Sequence, residues 1–232
     1  MPDIRLYYYP GTCSRGAMVG LEEAGAPYEM ELVVYMRGDN KSPDYLKLNP
    51  NGKVPTLVAD GVAITESSAM MLYLAQAFPE AHLLPLGAGA ASDGKVMADV
   101  VWCSASLHPN VFHTRLPQFF CDHEAGMARV RDLAMVRLAQ DFRQIEDRLA
   151  DGPWFFGDGW SVVDAYLSWA WYRVDGTGFD FSPYPRFADM YERVLKRPSV
   201  ARALAKEQEA YDWLEENDLM VNFKTLTPKS GQ

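Results

Sequence analysis

Cys13 is the residue whose chemistry depends most on its place in the chain, which reads Tyr-Tyr-Tyr-Pro-Gly-Thr-Cys-Ser-Arg over residues 7–15. A strand-like run ends just before Cys13 and a helical pattern begins just after it, so we expect Cys13 at the N-terminus of a helix. The unpaired N–H groups and partial positive charge of a helix N-terminus favour a thiolate, and Arg15 would add to that effect. The alternative is that Cys13 is a small apolar packing residue, as free cysteines usually are.

Two further segments could bind a peptide-like ligand. Val54-Pro55 precedes a predicted strand, and a cis peptide bond there would leave the Val54 N–H and C=O facing outward, where an extended peptide can pair with them. Glu66-Ser67 opens a predicted helix, where N–H groups and a hydroxyl could hold a carboxylate while Glu66 holds an ammonium. A plain strand start and ordinary helix capping are the alternatives, and for Glu66-Ser67 alone capping is the better interpretation.

His108 and His113 are the histidines that lie among aromatic residues of the second half of the chain. The aromatic residues of this segment are Phe112, Phe119 and Phe120. Isolated histidines are more often packing or surface residues than catalytic groups, and both interpretations stay open. The three consecutive tyrosines at 7–9 are either plain strand residues or, for one of them, a hydroxyl that donates to a thiolate at Cys13.

The elements that must position these residues follow from hydrophobic spacing. Residues 4–9 are a β-branched and aromatic run that Pro10-Gly11 ends, and apolar residues at every second position of 28–34 predict another strand. Between them lies a helical pattern that ends at Gly25. Residues 56–59, the turn Asp60-Gly61 and residues 62–64 predict a hairpin, followed by a helix after Glu66. The order is βαβ and then ββα.

The strand pattern disappears after a connector rich in small residues and proline at 84–91. Apolar residues spaced by three and four predict one long amphipathic helix over 127–149. The capping box Ser161-Val162-Val163-Asp164 starts a helix over 162–172, and further helices are predicted over 184–195 and 200–211. We therefore predict an α/β plus all-α fold, with an N-terminal domain at 1–82, a linker at 83–94 and an all-α domain at 95–232.

Composition excludes several classes of protein. The chain has 232 residues, of which 48% are apolar, so it is neither disordered nor a disulfide scaffold. Its net charge of −9 argues against nucleic acid as a partner. Three cysteines without a CxxC pair and four histidines without HExxH argue against a metal site. Neither a leader nor a membrane-spanning stretch is visible, so we expect a cytoplasmic protein that has no membrane partner.

Taken together, these motifs resemble the cytosolic glutathione transferase family, most closely its bacterial beta class. The matching segments are Tyr-Tyr-Tyr-Pro-Gly-Thr-Cys-Ser at 7–14, Asn-Pro-Asn-Gly-Lys-Val-Pro-Thr-Leu at 49–57, Glu66-Ser67 with Tyr73-Leu74 behind it, and the capping box at 161–164. The resemblance runs nearly end to end. It implies a thioredoxin-like N-terminal domain, an all-helical C-terminal domain, a homodimer, and glutathione bound as a co-substrate along the first domain without a metal.

The resemblance also implies how glutathione is held. Val54 would pair with the cysteinyl backbone of glutathione in front of a cis Pro55. Glu66 and Ser67 would hold the γ-glutamyl end, and Lys53 would help to bind the glycyl part.

Cys13 and His108 are the catalytic residues that the resemblance implies. In the beta class a cysteine at the position of Cys13 and a histidine in a Leu-His segment, matched by Leu107-His108, reach the glutathione sulfur. The thiolate would attack an apolar electrophile, as in detoxification, in a cleft lined partly by Phe112, Phe119 and Tyr166.

Two other functions remain open on the sequence. Cys13 could itself attack and form a mixed disulfide with glutathione, as in a thiol transferase, a dehalogenase or an ether-cleaving lyase. Residue 16 is glycine, which excludes a two-cysteine thioredoxin mechanism. The third possibility is a non-catalytic carrier of hydrophobic ligands.

Overall fold

The computed structural model describes residues 2–221, and a four-stranded sheet lies in the N-terminal part. Its strands are β1 (Ile4–Tyr8), β2 (Glu29–Leu32), β3 (Thr56–Ala59) and β4 (Val62–Thr65). They lie side by side in the order β2-β1-β3-β4, with β1 parallel to β2 and antiparallel to β3. The helices of this part are α1 (Ser14–Ala24), α2 (Pro43–Leu48) and α3 (Ser67–Ala77). The four strands, α1 and α3 follow in the predicted order, whereas α2, which is only six residues long, was not predicted.

Two turns form where the sequence predicts them. Asp60 and Gly61 have φ values of 50° and 80°, so the hairpin between β3 and β4 is closed by a two-residue turn of the primed type. Gly25 ends α1 with a left-handed φ of 60°, and its N–H bonds back to the last turn of the helix.

After the sheet, the described residues form helices, apart from two isolated β-bridges that pair Trp154 with Gly157 and Phe156 with Gly159. The helices are α4 (Ala90–Trp102), α5 (His108–Arg115), α6 (Glu124–Arg148), α7 (Val162–Val174), α8 (Pro185–Leu195) and α9 (Pro198–Glu216), and a π-helical stretch, Cys103–Leu107, joins α4 to α5. Helix α4 begins at Ala90, so residues 90–94 of the predicted linker are helical. Residues 222–232 of the predicted all-α domain lie outside the described part. The predicted α/β plus all-α fold class is confirmed.

The capping box at the start of α7 is present, with Asp164 as its centre. One Asp164 carboxylate oxygen accepts the Ser161 N–H at 2.8 Å and the Ser161 hydroxyl at 2.9 Å, and the other accepts the Phe155 N–H at 2.8 Å. The Ser161 side chain also accepts the backbone N–H of Asp164, as predicted, so both hydrogen bonds of the capping box are present. Asp164 therefore ties the preceding loop to α7 as well as starting the helix.

Helix α1 is the element through which the two parts of the chain pack together. It contacts α3 beside the sheet and both α7 and α9 of the helical part. Its buried residues Met18 and Leu21 belong to one hydrophobic core cluster that also contains Val163 and Ala203. Within residues 2–221, no helix is long and apolar enough to cross a membrane.

Candidate functional site

Cys13 lies immediately before α1, where the sequence predicts it. Its side chain is only 8% exposed, and its Sγ lies 4.0 Å from the Val54 carbonyl oxygen. Burial raises the pKa of the Cys13 thiol to about 11, and a hydrogen bond from Ser67 offsets this only in part. In the protein without ligand, burial therefore favours the protonated thiol over the thiolate that a helix N-terminus favours.

Arg15 does not assist Cys13 directly. Its guanidinium donates from Nη2 to the Glu207 carboxylate at 2.7 Å, and both side chains are buried. Tyr9, which directly follows β1, is also engaged elsewhere, since its hydroxyl accepts the Val221 N–H at 3.2 Å. Besides Tyr166, the titration of Tyr35, in the turn after β2, responds to Cys13. Sequence reasoning missed Tyr35 because only the fold brings this turn to Cys13.

Val54 and Pro55 are joined by a cis peptide bond in the turn before β3. The turn is held from behind, because the Lys53 carbonyl oxygen accepts the Tyr45 hydroxyl at 2.6 Å and the Asn49 side-chain amide at 2.8 Å. Val54 is half-buried and the Lys53 side chain is exposed. The backbone of Val54 is thus presented beside Cys13 by a fixed support.

Glu66 and Ser67 lie at the junction of β4 and α3. Glu66 is exposed and has a φ of 70°, an unusual backbone conformation for a residue with a side chain. Ser67 is buried, and its hydroxyl affects the titration of both Cys13 and Tyr166. The structure therefore brings Ser67 to the Cys13 sulfur, with Glu66 at the open side.

His108 begins α5 and is held by two residues of α7. Its Nδ1 lies 2.7 Å from the Tyr166 hydroxyl, and its ring stacks on Trp169 with centroids 4.9 Å apart. Burial lowers the pKa of His108 to about 4, and the charges of Lys53 and Arg173 lower it further, so the imidazole is neutral at neutral pH. Burial also raises the pKa of Tyr166 well above its ordinary value.

The aromatic residues of the predicted cleft form a cluster at the end of α5. The Phe112 ring lies 5.6 Å from the Phe119 ring and 5.7 Å from the Phe120 ring, and Phe119 and Phe120 are 38% and 49% exposed. Tyr166 differs from them, because it has no exposed surface and supports His108 instead. His113 packs on Phe120 with centroids 4.0 Å apart, away from the hydrogen bonds of His108.

A group of potential metal ligands lies before α6 in the described part of the chain. One ligand atom each of Cys121, Asp122 and His123 lies within 4.8 Å of the others. The His123 Nδ1 accepts the Gly126 N–H at 3.0 Å and caps α6, so an ion on this imidazole would have to replace the cap. The sequence pattern did not indicate this group, because its three residues are adjacent and show no helical ligand spacing.

Two family models match the chain. The model described as glutathione S-transferase, N-terminal domain, matches residues 11–77, and the model described as glutathione S-transferase, C-terminal domain, matches residues 128–193. A protein named glutathione S-transferase GST-4.5, from Xanthomonas campestris, is 30% identical over 88% of this chain and 98% of its own.

Solved structures agree with the family models. A sphingomonad glutathione S-transferase complexed with glutathione is 26% identical, with a TM-score of 0.76 over 88% of this chain and 98% of its own. A bacterial beta class glutathione S-transferase from Sphingomonas chungbukensis is 28% identical, with a TM-score of 0.75 over 88% of this chain and 98% of its own. The predicted thioredoxin-like and all-helical arrangement is confirmed, and this chain belongs to the glutathione S-transferase family.

Proposed function

We propose that this protein binds glutathione with its sulfur between Cys13 and His108 and transfers it to an apolar electrophile. The observation that carries the proposal is the convergence of Cys13, the Val54 backbone and Ser67 at one end of the sheet. Cys13 Sγ lies 4.0 Å from the Val54 carbonyl, and the Ser67 hydroxyl bonds to the thiol. A peptide thiol needs such neighbouring backbone and side-chain groups to be held in one orientation.

Glutathione would extend along the turn before β3. The N–H and C=O of Val54, before the cis Pro55, would pair with its cysteinyl residue, and the supported Lys53 carbonyl keeps this turn in place. Exposed Glu66 would bind the ammonium of the γ-glutamyl end, Ser67 its carboxylate, and exposed Lys53 the glycyl carboxylate.

Cys13 would act as a hydrogen-bond donor rather than as the attacking group. With a pKa raised by burial to about 11, its S–H stays protonated at neutral pH and can donate to a glutathione thiolate. His108 would supply a second donor. In the tautomer that this role requires, the Tyr166 hydroxyl donates to Nδ1 and the neutral imidazole carries its proton on Nε2, from which it can donate. Each unit by which these donors lower the thiol pKa corresponds to about 1.4 kcal/mol of preferential thiolate binding.

The electrophile would bind against the partly exposed rings of Phe112 and Phe119. The centroids of these two rings lie 5.6 Å apart, and together the rings offer an apolar, aromatic surface. The fully buried Tyr166 would contribute by orienting His108 rather than by lining this surface.

The test measures conjugation of glutathione with a panel of aryl halides, epoxides and enones, together with the ultraviolet difference spectrum of bound thiolate. We expect Cys13→Ala, which removes the donor, to lower kcat/KM by about tenfold, and Cys13→Ser to retain more activity. Absence of both conjugation and thiolate absorbance in the wild type would contradict the proposal. Disulfide reductase activity lost in Cys13→Ser while conjugation remains would instead indicate exchange chemistry at Cys13.

A homodimer, a cytoplasmic location and a detoxification role belong to the same proposal. Helices α4 and α6 expose apolar side chains, among them Val101 and Val136, that a second copy could cover. All three cysteines are unpaired, which suits a reducing compartment. Light scattering at micromolar concentration tests the dimer, which a monomeric mass would contradict.

A further inference from the structure

The loop that leads into Cys13 is contacted by two helices of the C-terminal part. The Trp169 Nε1–H of α7 donates to the Gly11 carbonyl at 3.2 Å. Tyr211 of α9 packs against Gly11 so closely that an added Cβ would lie 2.0 Å from its hydroxyl oxygen. Gly11 also has a φ of 69°, which glycine adopts without strain. The position of Cys13 therefore depends on residues far away in the sequence.

A buried ion pair forms the next contact, two residues after Cys13. Arg15 donates to one Glu207 carboxylate oxygen from Nε at 3.1 Å and from Nη2 at 2.7 Å. Its guanidinium also lies 4.2 Å from the centre of the Tyr172 ring. Glu207 is 2% exposed, and its other carboxylate oxygen has no hydrogen-bond partner among the described residues.

A buried ion pair contributes little net free energy to the packing of two helices, because both charges must be desolvated. Apolar side chains of the same size would hold α1 and α9 together at least as well, so the packing of these helices alone does not explain the Arg15–Glu207 pair. Helices α1 and α9 are also joined at the other end of α1. There the Glu22 carboxylate accepts from Arg202 Nε at 2.6 Å and from Lys206 Nζ at 2.5 Å. What distinguishes the Arg15–Glu207 pair is its place in the first turn of α1, two residues after Cys13.

The surroundings of Cys13 make the pKa of its thiol sensitive to an uncompensated charge nearby. The charged and titratable groups around it are Glu66 at the start of α3, Arg173 and Tyr166 of α7, and Tyr35. Burial is the main cause of the raised pKa of Cys13, so little water is present to screen a further charge.

We propose that Glu207 is a positioning residue for the sulfur site: it tethers the Cys13 loop to α9 through Arg15, and it balances the charge of Arg15, two residues from Cys13. This inference deepens the proposed function, on which its catalytic meaning rests. The tether and the charge balance are properties of the protein without glutathione. They can therefore be measured separately from catalysis.

The experiment follows alkylation of Cys13 by iodoacetamide against pH, in a Cys121→Ser background, without glutathione. Cys103 is completely buried and should not react. Glu207→Gln keeps the size and an acceptor oxygen but removes the charge. We expect it to lower the apparent pKa of Cys13 by about one unit, which is tenfold more thiolate below the pKa. Glu207→Asp keeps the charge, so its titration should match the wild type.

The tether is measured by hydrogen exchange of the amides in residues 10–16. Glu207→Asp, whose shorter side chain weakens the bond to Arg15, should exchange faster in this segment. The matched control is Arg202→Gln, which removes another α1–α9 contact and should change neither the titration nor this exchange.

The proposal is overturned if Glu207→Gln leaves the titration unchanged or raises the pKa, or if Arg202→Gln produces the same changes. If Glu207→Gln does not fold, the proposal is tested by the titration and the hydrogen exchange of Glu207→Asp alone. An unchanged titration with faster exchange in residues 10–16 supports the proposal, and an altered titration contradicts it. If the proposed transferase activity is wrong, conjugation will be absent in the wild type and in every variant. The titration and exchange measurements do not depend on that activity and would still test the role of Glu207.

Discussion

Two side chains at the site have protonation states that burial decides. Cys13 is a thiol and His108 a neutral imidazole at neutral pH, because desolvation raises the pKa of the first to about 11 and lowers that of the second to about 4. Both neutral groups can donate a hydrogen bond to an anion without forming an ion pair that must be desolvated. The site is therefore suited to receiving the negative charge from its ligand.

The hydroxyl of Tyr166 should matter through His108. Tyr166→Phe removes the 2.7 Å hydrogen bond to Nδ1, which allows the imidazole to rotate or to exchange tautomers. We expect kcat/KM for conjugation to fall by about tenfold, with a smaller change in the KM for glutathione. Steady-state kinetics at fixed electrophile concentration measure both parameters.

The matched control for this substitution is Tyr184→Phe. The Tyr184 hydroxyl donates to the Ala139 carbonyl at 3.1 Å, in the packing of α6 against α8. This variant should retain wild-type kinetics. An equal loss of activity in both variants would mean that any buried tyrosine hydroxyl matters, and would contradict the role of Tyr166.

The pKa of His108 also predicts how stability changes with pH. Between its ordinary value of 6.5 and the folded value of about 4, the unfolded chain binds a proton that the folded protein does not. The free energy of unfolding should therefore decrease as the pH falls through this range. Urea denaturation of the wild type and of His108→Gln measures the effect, and the decrease should be smaller in the variant. Identical pH profiles would contradict a buried neutral His108.

At the scale of elements, α7 is the helix that supports the site. It supplies Tyr166 and Trp169 to His108, and Trp169 also reaches Gly11 of the Cys13 loop. Its start is fixed by Asp164, whose carboxylate accepts three hydrogen bonds in a fully buried position. Loss of this start would displace residues on both sides of the cleft.

Asp164→Ala should destabilise the protein by about 3 kcal/mol, because it leaves buried N–H groups of Phe155 and Ser161 without acceptors. Chemical denaturation measures this free energy. Asp93→Ala is the comparison, since Asp93 accepts the exposed Gly87 N–H at 2.9 Å and its loss should cost less than about 1 kcal/mol. Equal costs for the two variants would show that burial of Asp164 contributes nothing.

At the scale of the whole molecule, the two parts of the chain share one core. Residues from β1 to α9 belong to the same hydrophobic cluster, and α1 is packed between the sheet and the helices α7 and α9. Separating the parts would expose the face of α1 that contacts α7 and α9. We therefore expect the parts to unfold together.

The distribution of probes allows this expectation to be tested. All six tryptophans lie in the helical part, at 102, 154, 160, 169, 171 and 213, so their fluorescence reports that part alone. Thiol labelling of Cys13 in a Cys121→Ser background reports the other part. The two urea transitions should coincide, and reactivity of Cys13 at a lower urea concentration would contradict a shared cooperative unit.

Local patterns were sufficient for most of the fold. The hairpin at Asp60-Gly61, the end of α1 at Gly25 and the start of α7 at Ser161 each depend on neighbouring residues, and each was predicted correctly. The linker was predicted to extend to residue 94, although α4 begins at Ala90, because glycine and alanine at 87–91 resemble a loop. Positions 13, 54, 66 and 108 were chosen as candidate residues by motif and resemblance.

By itself, the sequence determined the order of the four strands and the location of Cys13 at a helix start, because spacing along the chain decides both. Only the tertiary structure decided that this thiol is protonated, that Arg15 is paired with Glu207, and that Tyr166 holds His108. Arg15 and Glu207 are 192 positions apart in the chain. Burial and pairing are properties of the assembled core, where water is excluded and distant residues meet, so no local pattern encodes them.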